Sequence, residues 1–198
     1  MPKAATLTVR AIAPDDWDVI VRLFGSRGAC GGCWCMYWRV PKGGRDWEAA
    51  TKAGKTRERF RRLVRAGRVQ GVVAFEGEEP VGWCSFGPRG DFPRLLRARS
   101  FERERTIEPW AIVCFYIPRA RQGRGLATKL LDAATDAAFA RGAPEVEGYP
   151  VNSKPGARLP APFAWTGVRE IFEAAGYRKL PRSDAARDIY VKRNPASP

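Results

Sequence analysis

The sequence predicts one mixed α/β domain, in which β-strands and α-helices follow one another along the chain. Its 198 residues match the size of a single domain, and 44% of them are hydrophobic, enough to bury a core. Apolar or alternating segments are separated by segments with helical periodicity, in the order β-α-α-β-β-β-α-β-α-β. No internal repeat or linker divides the chain. We therefore expect a single domain over residues 1–198, with an ordered core from about residue 6 to residue 193 and a loose C-terminal tail.

The N-terminal quarter predicts a strand followed by helices. Residues 6–13 alternate between apolar and polar side chains, which indicates a first strand. Asp15 or Asp16 is the expected N-cap of a first helix, which ends at Gly25. Residues 45–67 predict one or two further helices with a narrow apolar stripe. This stripe consists of Phe60, Leu63 and Val64.

The middle of the chain predicts a hairpin, a buried strand and a long helix. Residues 72–75 and 81–86 are two β-rich runs that flank a turn at Gly77. Residues 110–117 are apolar throughout, which is typical of a strand covered on both faces. Residues 125–143 have helical spacing of apolar side chains, with Gly142 marking the end of the helix.

Four segments complete the predicted fold. Residues 89–109 are a charged excursion in which we expect a short helix. Residues 145–151 predict a strand, residues 168–177 a short helix, and residues 187–193 a final strand. Each boundary carries a turn residue or a change of periodicity.

The chain is strongly basic, with 35 Lys and Arg against 21 Asp and Glu and a formal net charge of +14. This charge favours an anionic partner, which would be a nucleic acid, an acidic membrane surface or a phosphorylated ligand. A general excess of basic residues without a function is the alternative, and composition does not separate the two.

The sequence contains no histidine. This excludes Ser-His-Asp and Cys-His hydrolases, and it removes the most common general base and metal ligand. Catalysis would have to use carboxylates, tyrosine, cysteine, lysine, backbone amides or water.

Two features of hydropathy bear on location. Residues 1–14 contain no apolar segment of the kind found in secretory signals. The longest apolar run has eight residues, well short of the roughly 20 that span a membrane as a helix. We expect a soluble, cytoplasmic protein without a membrane partner.

The segment "RQGRGLA", residues 121–127, lies where the apolar strand leads into the long helix. The first N–H groups of a helix have no partner within the helix, and its dipole adds positive potential there. Gly123 and Gly125 allow an anion to approach the backbone, while Arg121 and Arg124 add charge suited to phosphate. An ordinary basic loop is the alternative interpretation.

Other phosphate motifs do not fit the chain. A dinucleotide fingerprint needs a third glycine, where this sequence has Thr128. A P-loop needs glycine where this sequence has Ala49, and the preceding segment predicts a helix rather than a strand.

Gln122, Gly125 and Ala127 form the pattern Q-x-x-G-x-A after an apolar strand and at the start of a long helix. This pattern resembles the acetyl-CoA signature of the GNAT superfamily of N-acetyltransferases. The resemblance extends over nearly the whole chain, from Thr6 to Arg193, through the order of the elements and the late Gly-aromatic pair in "EAAGY". It implies a central mixed, mostly antiparallel sheet flanked by helices.

The resemblance implies acetyl-CoA as the cosubstrate and direct transfer of its acetyl group to a primary amine of a small molecule or peptide. Backbone groups of the strand end would pair with the pantetheine arm, and those residues are Phe115, Tyr116 and Ile117. Amides of the turn would hold the pyrophosphate, and those residues are Gln122, Gly123, Arg124, Gly125, Leu126, Ala127 and Thr128. Dimers are common among the proteins that this chain resembles, so a homodimer is left open.

Two residues depart from the family pattern. Arg119 stands where the family often has proline, and Phe172 stands where it often has the tyrosine that protonates the leaving thiolate. The buried strand also lacks the carboxylate that often serves as a base. We expect Glu108 as the base and Tyr149 as the acid. The other candidates are Asp91, Glu147 and a water relay.

Residues 30–38, "CGGCWCMYW", combine three cysteines with aromatic residues. Cys30, Cys33 and Cys35 could serve as thiolate ligands, but no histidine or second C-x-x-C completes a tetrahedral site, so we expect no metal. A Cys30–Cys33 disulfide is disfavoured in a reducing cytosol. In the family that the chain resembles, this region helps to wall the acceptor pocket, and ordinary packing is the alternative.

The sequence therefore predicts an acetyl-CoA-dependent N-acetyltransferase. The first rival is a regulatory or nucleic-acid-binding protein that kept this fold and lost turnover, which Phe172 favours and the intact turn disfavours. The second rival is a thiol-metal protein that uses the cysteines of residues 30–35.

Overall fold

The computed structural model describes residues 6–41, 45–151, 165–181 and 188–197, and these contain one mixed seven-stranded sheet. The strands in chain order are β1 (Leu7–Ala11), β2 (Gln70–Glu76), β3 (Glu79–Pro88), β4 (Trp110–Tyr116), β5 (Glu145–Gly148), β6 (Arg178–Lys179) and β7 (Tyr190–Arg193). Across the sheet the order is β1-β2-β3-β4-β5-β7-β6. Neighbouring strands are antiparallel except β4 and β5, which are parallel. The predicted fold class is confirmed.

Helices cover both faces of this sheet. They are α1 (Trp17–Phe24), α2 (Arg45–Lys52), α3 (Lys55–Arg65), α4 (Pro93–Leu96), α5 (Leu126–Phe139) and α6 (Arg169–Ala174). One core lies between the sheet and α1 and α3, and the other lies between the sheet and α5 and α6. Val73 and Trp83 face the first core while Val72 and Cys84 face the second, as the alternation of side chains along a strand requires.

The segment before α1 differs in detail from the prediction. Asp16 precedes the helix, but its side chain makes no capping hydrogen bond. Its carboxylate instead accepts hydrogen bonds from the Ala13 N–H and from the Arg10 guanidinium at 2.6 and 2.7 Å. The ion pair on β1 therefore takes the oxygens that would have capped the helix.

The sheet opens between the C-terminal ends of β4 and β5. The two strands pair only where Trp110, Ala111 and Ile112 lie beside Val146–Gly148. The pairing of β4 with β3 also skips Val113, which indicates a bulge.

Beyond this opening, residues distant in the chain provide hydrogen-bond partners for the backbone of β4. The Trp38 indole donates to the Val113 carbonyl at 2.9 Å, and the Phe115 N–H donates to the Trp165 carbonyl at 2.6 Å. A buried backbone group needs such a partner, so the indole and the carbonyl replace the missing neighbour strand.

The C-terminal residues that are described form a turn. The Asn194 N–H donates to the Pro144 carbonyl, and the Ser197 N–H returns to the Asn194 carbonyl. Pro198 and residue 187 of the predicted final strand lie outside the described residues. No helix in the described ranges is both long enough and apolar enough to cross a membrane.

Candidate active site

The turn before α5 presents a row of free backbone donors. Gly123 and Gly125 have φ angles of +76° and +72°, in the left-handed region that glycine adopts without strain. Lys129 makes the first backbone hydrogen bond of the helix, to the Gly125 carbonyl at 3.3 Å. For the N–H groups of residues 123–128, the described part of the chain provides no acceptor. These donors lie at the positive end of the helix dipole, which suits an anion.

A cavity of about 400 Å³, the turn pocket, lies against this row of donors. It is lined by nine of the ten residues that the sequence predicts for the coenzyme: Phe115, Tyr116, Ile117, Gln122, Gly123, Gly125, Leu126, Ala127 and Thr128. Arg121 lines it as well, whereas Arg124 does not. Both arginines form ion pairs with Glu76 on β2, the pair with Arg124 being 3.8 Å long. The structure thus brings the predicted set together except for Arg124.

The side chain of Gln122 has a structural role in this turn. Its Nε2 donates to the Ile117 carbonyl at 2.9 Å, which ties the turn to the end of β4. The Phe115 N–H is also occupied, by the Trp165 carbonyl. Two of the backbone groups predicted to meet a pantetheine arm are therefore engaged within the protein.

A second cavity of about 440 Å³, the aromatic pocket, shares the walls Cys30, Phe115, Tyr116 and Trp165 with the turn pocket. Its other walls come mainly from the loop after α1, from α2 and from β4, namely Ala29, Gly31, Cys33, Cys35, Tyr37, Trp38, Trp47, Val113 and Cys114. The shared walls make the two pockets parts of one cleft at the end of β4.

Four aromatic rings of the aromatic pocket support one another. The centroid of Tyr37 lies 5.1 Å from that of Trp38, 5.6 Å from that of Trp47 and 5.0 Å from that of Trp165. The guanidinium carbon of Arg94 lies 3.9 Å from the Tyr37 centroid and 5.4 Å from that of Trp47. Packed rings fix the shape of the pocket, and the Arg94 guanidinium packs against two of them.

The loop that carries these residues is conformationally unusual. Ala29, Trp34 and Cys35 have φ angles of +66°, +42° and +53°, which non-glycine residues rarely adopt. Cys35 is buried, and its sulfur accepts a hydrogen bond from the Trp83 indole at 2.8 Å. Backbone strain of this kind concentrates at binding sites, where surrounding packing enforces it.

The cysteines of the cleft are free thiols. Burial, followed by the nearby Cys35, raises the pKa of Cys33 to about 12, and burial also raises the pKa of Cys30. Both side chains therefore hold their protons at neutral pH. Within the described residues, no three His, Cys, Asp or Glu side chains are arranged to hold a metal ion. The expectation that the cysteines hold no metal stays a prediction.

Tyr116 lines both pockets. It is half-buried, and its ring packs at 5.5 Å against Phe24. Burial, with a smaller effect of Cys30 and Cys33, raises its pKa, so the hydroxyl keeps its proton and can donate it. Sequence reasoning named Tyr116 for its backbone alone, although a phenol at the end of the signature strand was a signal for this role.

The structure does not bring Glu108 to the cleft. Glu108 is exposed and precedes the first residue of β4, whereas the cleft lies at the last residues of that strand. A strand of this length extends for roughly 20 Å. The assignment of Glu108 as the base stays a prediction that this position does not favour.

Tyr149 lies inside the protein and lines neither pocket. Its hydroxyl donates to a Glu147 carboxylate oxygen, and burial raises its pKa well above the ordinary value. Glu147 is itself buried and forms ion pairs with Arg89, Arg103 and Arg105. Both side chains belong to an internal charged network, so the role of Tyr149 as the acid also stays a prediction without geometric support.

Phe172 is fully buried and lines neither pocket. Its ring contacts Phe115 and Tyr177, with centroids at 6.4 and 5.2 Å, and lies so close to Gly148 that a Cβ there would meet it at 2.0 Å. A side chain in this position supports the wall behind the cleft. Another residue has to supply any proton to the reaction.

Comparisons with known proteins agree with the overall fold. A model of the acetyltransferase (GNAT) family matches residues 37–153. Similar solved structures include the ribosomal-protein-S5-alanine acetyltransferase from Vibrio fischeri, which is 13% identical, with 96% of this chain and 94% of that chain covered and a TM-score of 0.53. They also include the PaiA N-acetyltransferase from Thermoplasma acidophilum in complex with coenzyme A, which is 10% identical, with 95% and 99% covered and a TM-score of 0.53. A search of curated proteins gives no match.

Proposed function

Because this chain belongs to the GNAT family of acetyltransferases, we propose that it transfers the acetyl group of acetyl-CoA directly to a primary amine. The family match confirms the resemblance inferred from the turn of Gln122, Gly125 and Ala127. The observation that carries the proposal is the row of N–H groups of residues 123–128, for which the described residues offer no acceptor, in a pocket that continues into the aromatic pocket.

The turn pocket would hold the pyrophosphate of the coenzyme. Backbone donors at a helix N-terminus bind phosphate oxygens, and the Arg121 guanidinium, which pairs with Glu76, lies on the same wall. The pantetheine arm would then follow the end of β4, past Ile117 and Phe115, towards the shared walls. This places the thioester where the two pockets meet, beside Tyr116.

The aromatic pocket would hold the acceptor amine. A neutral amine nitrogen attacks the thioester carbonyl, the C–N bond forms, and the C–S bond breaks with its electron pair on sulfur. Tyr116, which lines both pockets, would donate its proton to the leaving sulfur. Solvent would accept the proton lost by nitrogen and return a proton to the Tyr116 oxygen. Neither Glu108 nor Tyr149 is needed for this sequence.

The experiment measures thiol release from acetyl-CoA with a panel of amines, together with mass spectrometry of the acetylated product. The proposal expects one released thiol for each amine acetylated. Acetyl-CoA binding without thiol release for any amine would instead support the regulatory rival, and absence of acetyl-CoA binding would overturn the proposal itself.

A further inference from the structure

Two adjoining cavities lie at the end of the sheet where β4 begins, away from the cleft. The first, of about 560 Å³, is walled by the starts of β2 and β4, the end of β3 and the segment that follows β3. The second, of about 470 Å³, lies against α3. Arg39, Leu63 and Arg68 line both cavities, which we name together the basic groove. Among the described residues, none that lines this groove also lines the turn pocket or the aromatic pocket.

Four arginines line the basic groove, namely Arg39, Arg59, Arg62 and Arg68. Arg59 and Arg62 are three residues apart on α3, a spacing that puts two side chains on the same face of a helix. Arg68 follows the end of that helix. Arg59, Arg62 and Arg68 are exposed, so their guanidinium groups can adjust to a ligand. The fold therefore gathers four positive charges around one concave surface, which suits a ligand with more than one negative charge.

Arg39 is the buried member of this set, with a side chain that is only 6% exposed. Its guanidinium carbon lies 4.7 Å from the centroid of the Phe92 ring. Its Nη1 lies 4.0 Å from a carboxylate oxygen of Asp91, which is too far for a hydrogen bond. Its Nε and Nη2 are buried without a hydrogen-bond acceptor in the parts of the chain that the structure describes. Arg39 is thus a buried cation whose donors are not satisfied by these neighbours.

The contacts of Arg39 leave one edge of its guanidinium open to a partner. The Phe92 ring packs on a face of the group, whereas the hydrogen bonds of arginine lie in its plane. Nε–H and Nη2–H form a fork that matches two oxygens of one anion. Burial is the largest cause that lowers the pKa of Arg39; Asp91 and Cys35 raise it, and Arg68 lowers it further. Because Arg68 is close enough to repel Arg39, an anion between them would stabilise both charges.

We propose that the basic groove binds a phosphate monoester, whose phosphate group lies between Arg39 and Arg68. Such a phosphate carries nearly two negative charges at neutral pH and three acceptor oxygens, so it can bind the fork of Arg39 and the Arg68 guanidinium together. The first cavity is larger than a phosphate group, and its walls Leu63 and Trp110 suit the organic part of the ester. This site goes beyond the proposed acetyltransferase function and does not depend on it.

The test follows the indole N–H signals of Trp110, which lines the groove, and of Trp165, which lines the cleft, by NMR during titration with phenyl phosphate. Each signal is assigned by its loss when the tryptophan is replaced by phenylalanine. We expect a saturable shift of the Trp110 signal and at least fivefold weaker binding of benzoate, which carries the same ring with a single negative charge. A Trp110 signal that does not move, including a shift of the Trp165 signal alone, would overturn the proposal. Equal affinity for benzoate would overturn the choice of a phosphate.

Three variants test the arginines that hold the phosphate. Arg68→Gln and Arg65→Gln each remove one exposed charge near the end of α3, but only Arg68 lines the groove. The dissociation constant of phenyl phosphate should rise at least fivefold in Arg68→Gln and less than twofold in Arg65→Gln. Arg39→Lys keeps the buried charge and removes the fork, so we expect at least a tenfold rise there. Equal constants in Arg68→Gln and Arg65→Gln would contradict the proposal, and this pair decides the question even if Arg39→Lys does not fold.

A short single-stranded RNA distinguishes a small phosphate ester from a nucleic acid as the ligand of this groove. We expect phenyl phosphate to shift the Trp110 signal by itself. A shift caused by the RNA and lost in Arg68→Gln, with no response to phenyl phosphate, would overturn the proposal in favour of a nucleic acid. Thiol release from acetyl-CoA tests the acetyltransferase function separately, so the two proposals can fail independently.

Discussion

Tyr116 is a residue at which the turn pocket and the aromatic pocket meet. Its hydroxyl holds its proton because the ring is half-buried. The turn at Gly123 and Gly125 could be predicted from the sequence, because a left-handed turn is a local property of the backbone. The orientation of Tyr116 could not, because the bulge at Val113 interrupts the alternation of side chains along β4.

Replacing Tyr116 by phenylalanine tests the proton donor. Tyr116→Phe removes the hydroxyl and keeps the ring against Phe24, so we expect kcat to fall about a hundredfold, a typical contribution of a general acid. Acetyl-CoA affinity should change less than twofold. The control is Tyr190→Phe, which removes a hydroxyl bonded to Glu173 outside both pockets. A kcat within twofold of the wild type in Tyr116→Phe would show that the donor is another group.

At the scale of single elements, the opening between β4 and β5 creates the cleft. Sequence analysis located both strands, but the partners that keep them apart come from distant segments. The Trp38 indole and the Trp165 carbonyl satisfy the free backbone of β4. Contacts between residues so far apart in the chain follow from tertiary packing, which a single sequence does not display.

Because a single sequence does not display tertiary contacts, Glu108 and Tyr149 were predicted as catalytic residues from their positions along the chain. Glu108 precedes the signature strand, and Tyr149 follows the next strand, so each was adjacent in sequence to an element of the site. Glu108 lies at the start of β4, whereas β4 separates from β5 towards its other end, where the cleft lies. The Arg103 and Arg105 guanidinium groups pair with Glu147, which in turn accepts the Tyr149 hydroxyl.

Glu147 ties β5 to the segment before β4, and its titration gives a prediction for stability. Burial raises the pKa of Glu147, but hydrogen bonds from Arg105 and Tyr149 and the charges of Arg105 and Arg103 outweigh burial and lower it. A lowered folded-state pKa means that the carboxylate stabilises the fold above the ordinary pKa. This stabilisation is lost as the pH falls through the folded-state pKa.

Glu147→Gln should therefore lower the free energy of unfolding at pH 7 by about 3–5 kcal/mol, because it leaves buried arginines without their anion. Chemical denaturation at several pH values measures the difference from wild type, which should shrink below about pH 4. Glu58→Gln is the control, since Glu58 pairs with Arg61 at the surface. This substitution should change the free energy of unfolding by less than about 1 kcal/mol. A constant difference across the pH range would contradict the assigned network.

For the molecule as a whole, the order of helices and strands was predictable because hydrophobic periodicity is distributed over the chain. Both cores follow from it: α1 and α3 cover one face of the sheet, and α5 and α6 cover the other. The short strand β6 was missed, since two exposed residues carry no hydrophobic pattern. The net charge of +14 is also a property of the whole molecule. It would attract an anionic ligand such as the proposed coenzyme.

The net charge predicts that salt weakens the binding of acetyl-CoA. Raising the ionic strength from about 50 to about 300 mM should weaken acetyl-CoA binding several-fold, because screening reduces the attraction of the protein for an anion. An acetyl-CoA affinity that stays constant over this range would contradict the attraction assigned to the net charge.

The most direct test of coenzyme binding at the turn is calorimetric titration of acetyl-CoA into wild type, Gly125→Glu and Gly142→Glu. Gly125 and Gly142 lie at the two ends of α5, both with positive φ, and in neither case would an added Cβ meet another atom within 4 Å. The backbone conformation is thus matched in the two variants, and only Gly125→Glu brings a carboxylate to the amides of residues 123–128. We expect wild-type affinity in Gly142→Glu and at least a hundredfold loss in Gly125→Glu, whereas undiminished binding by a folded Gly125→Glu variant would contradict the proposed pyrophosphate site.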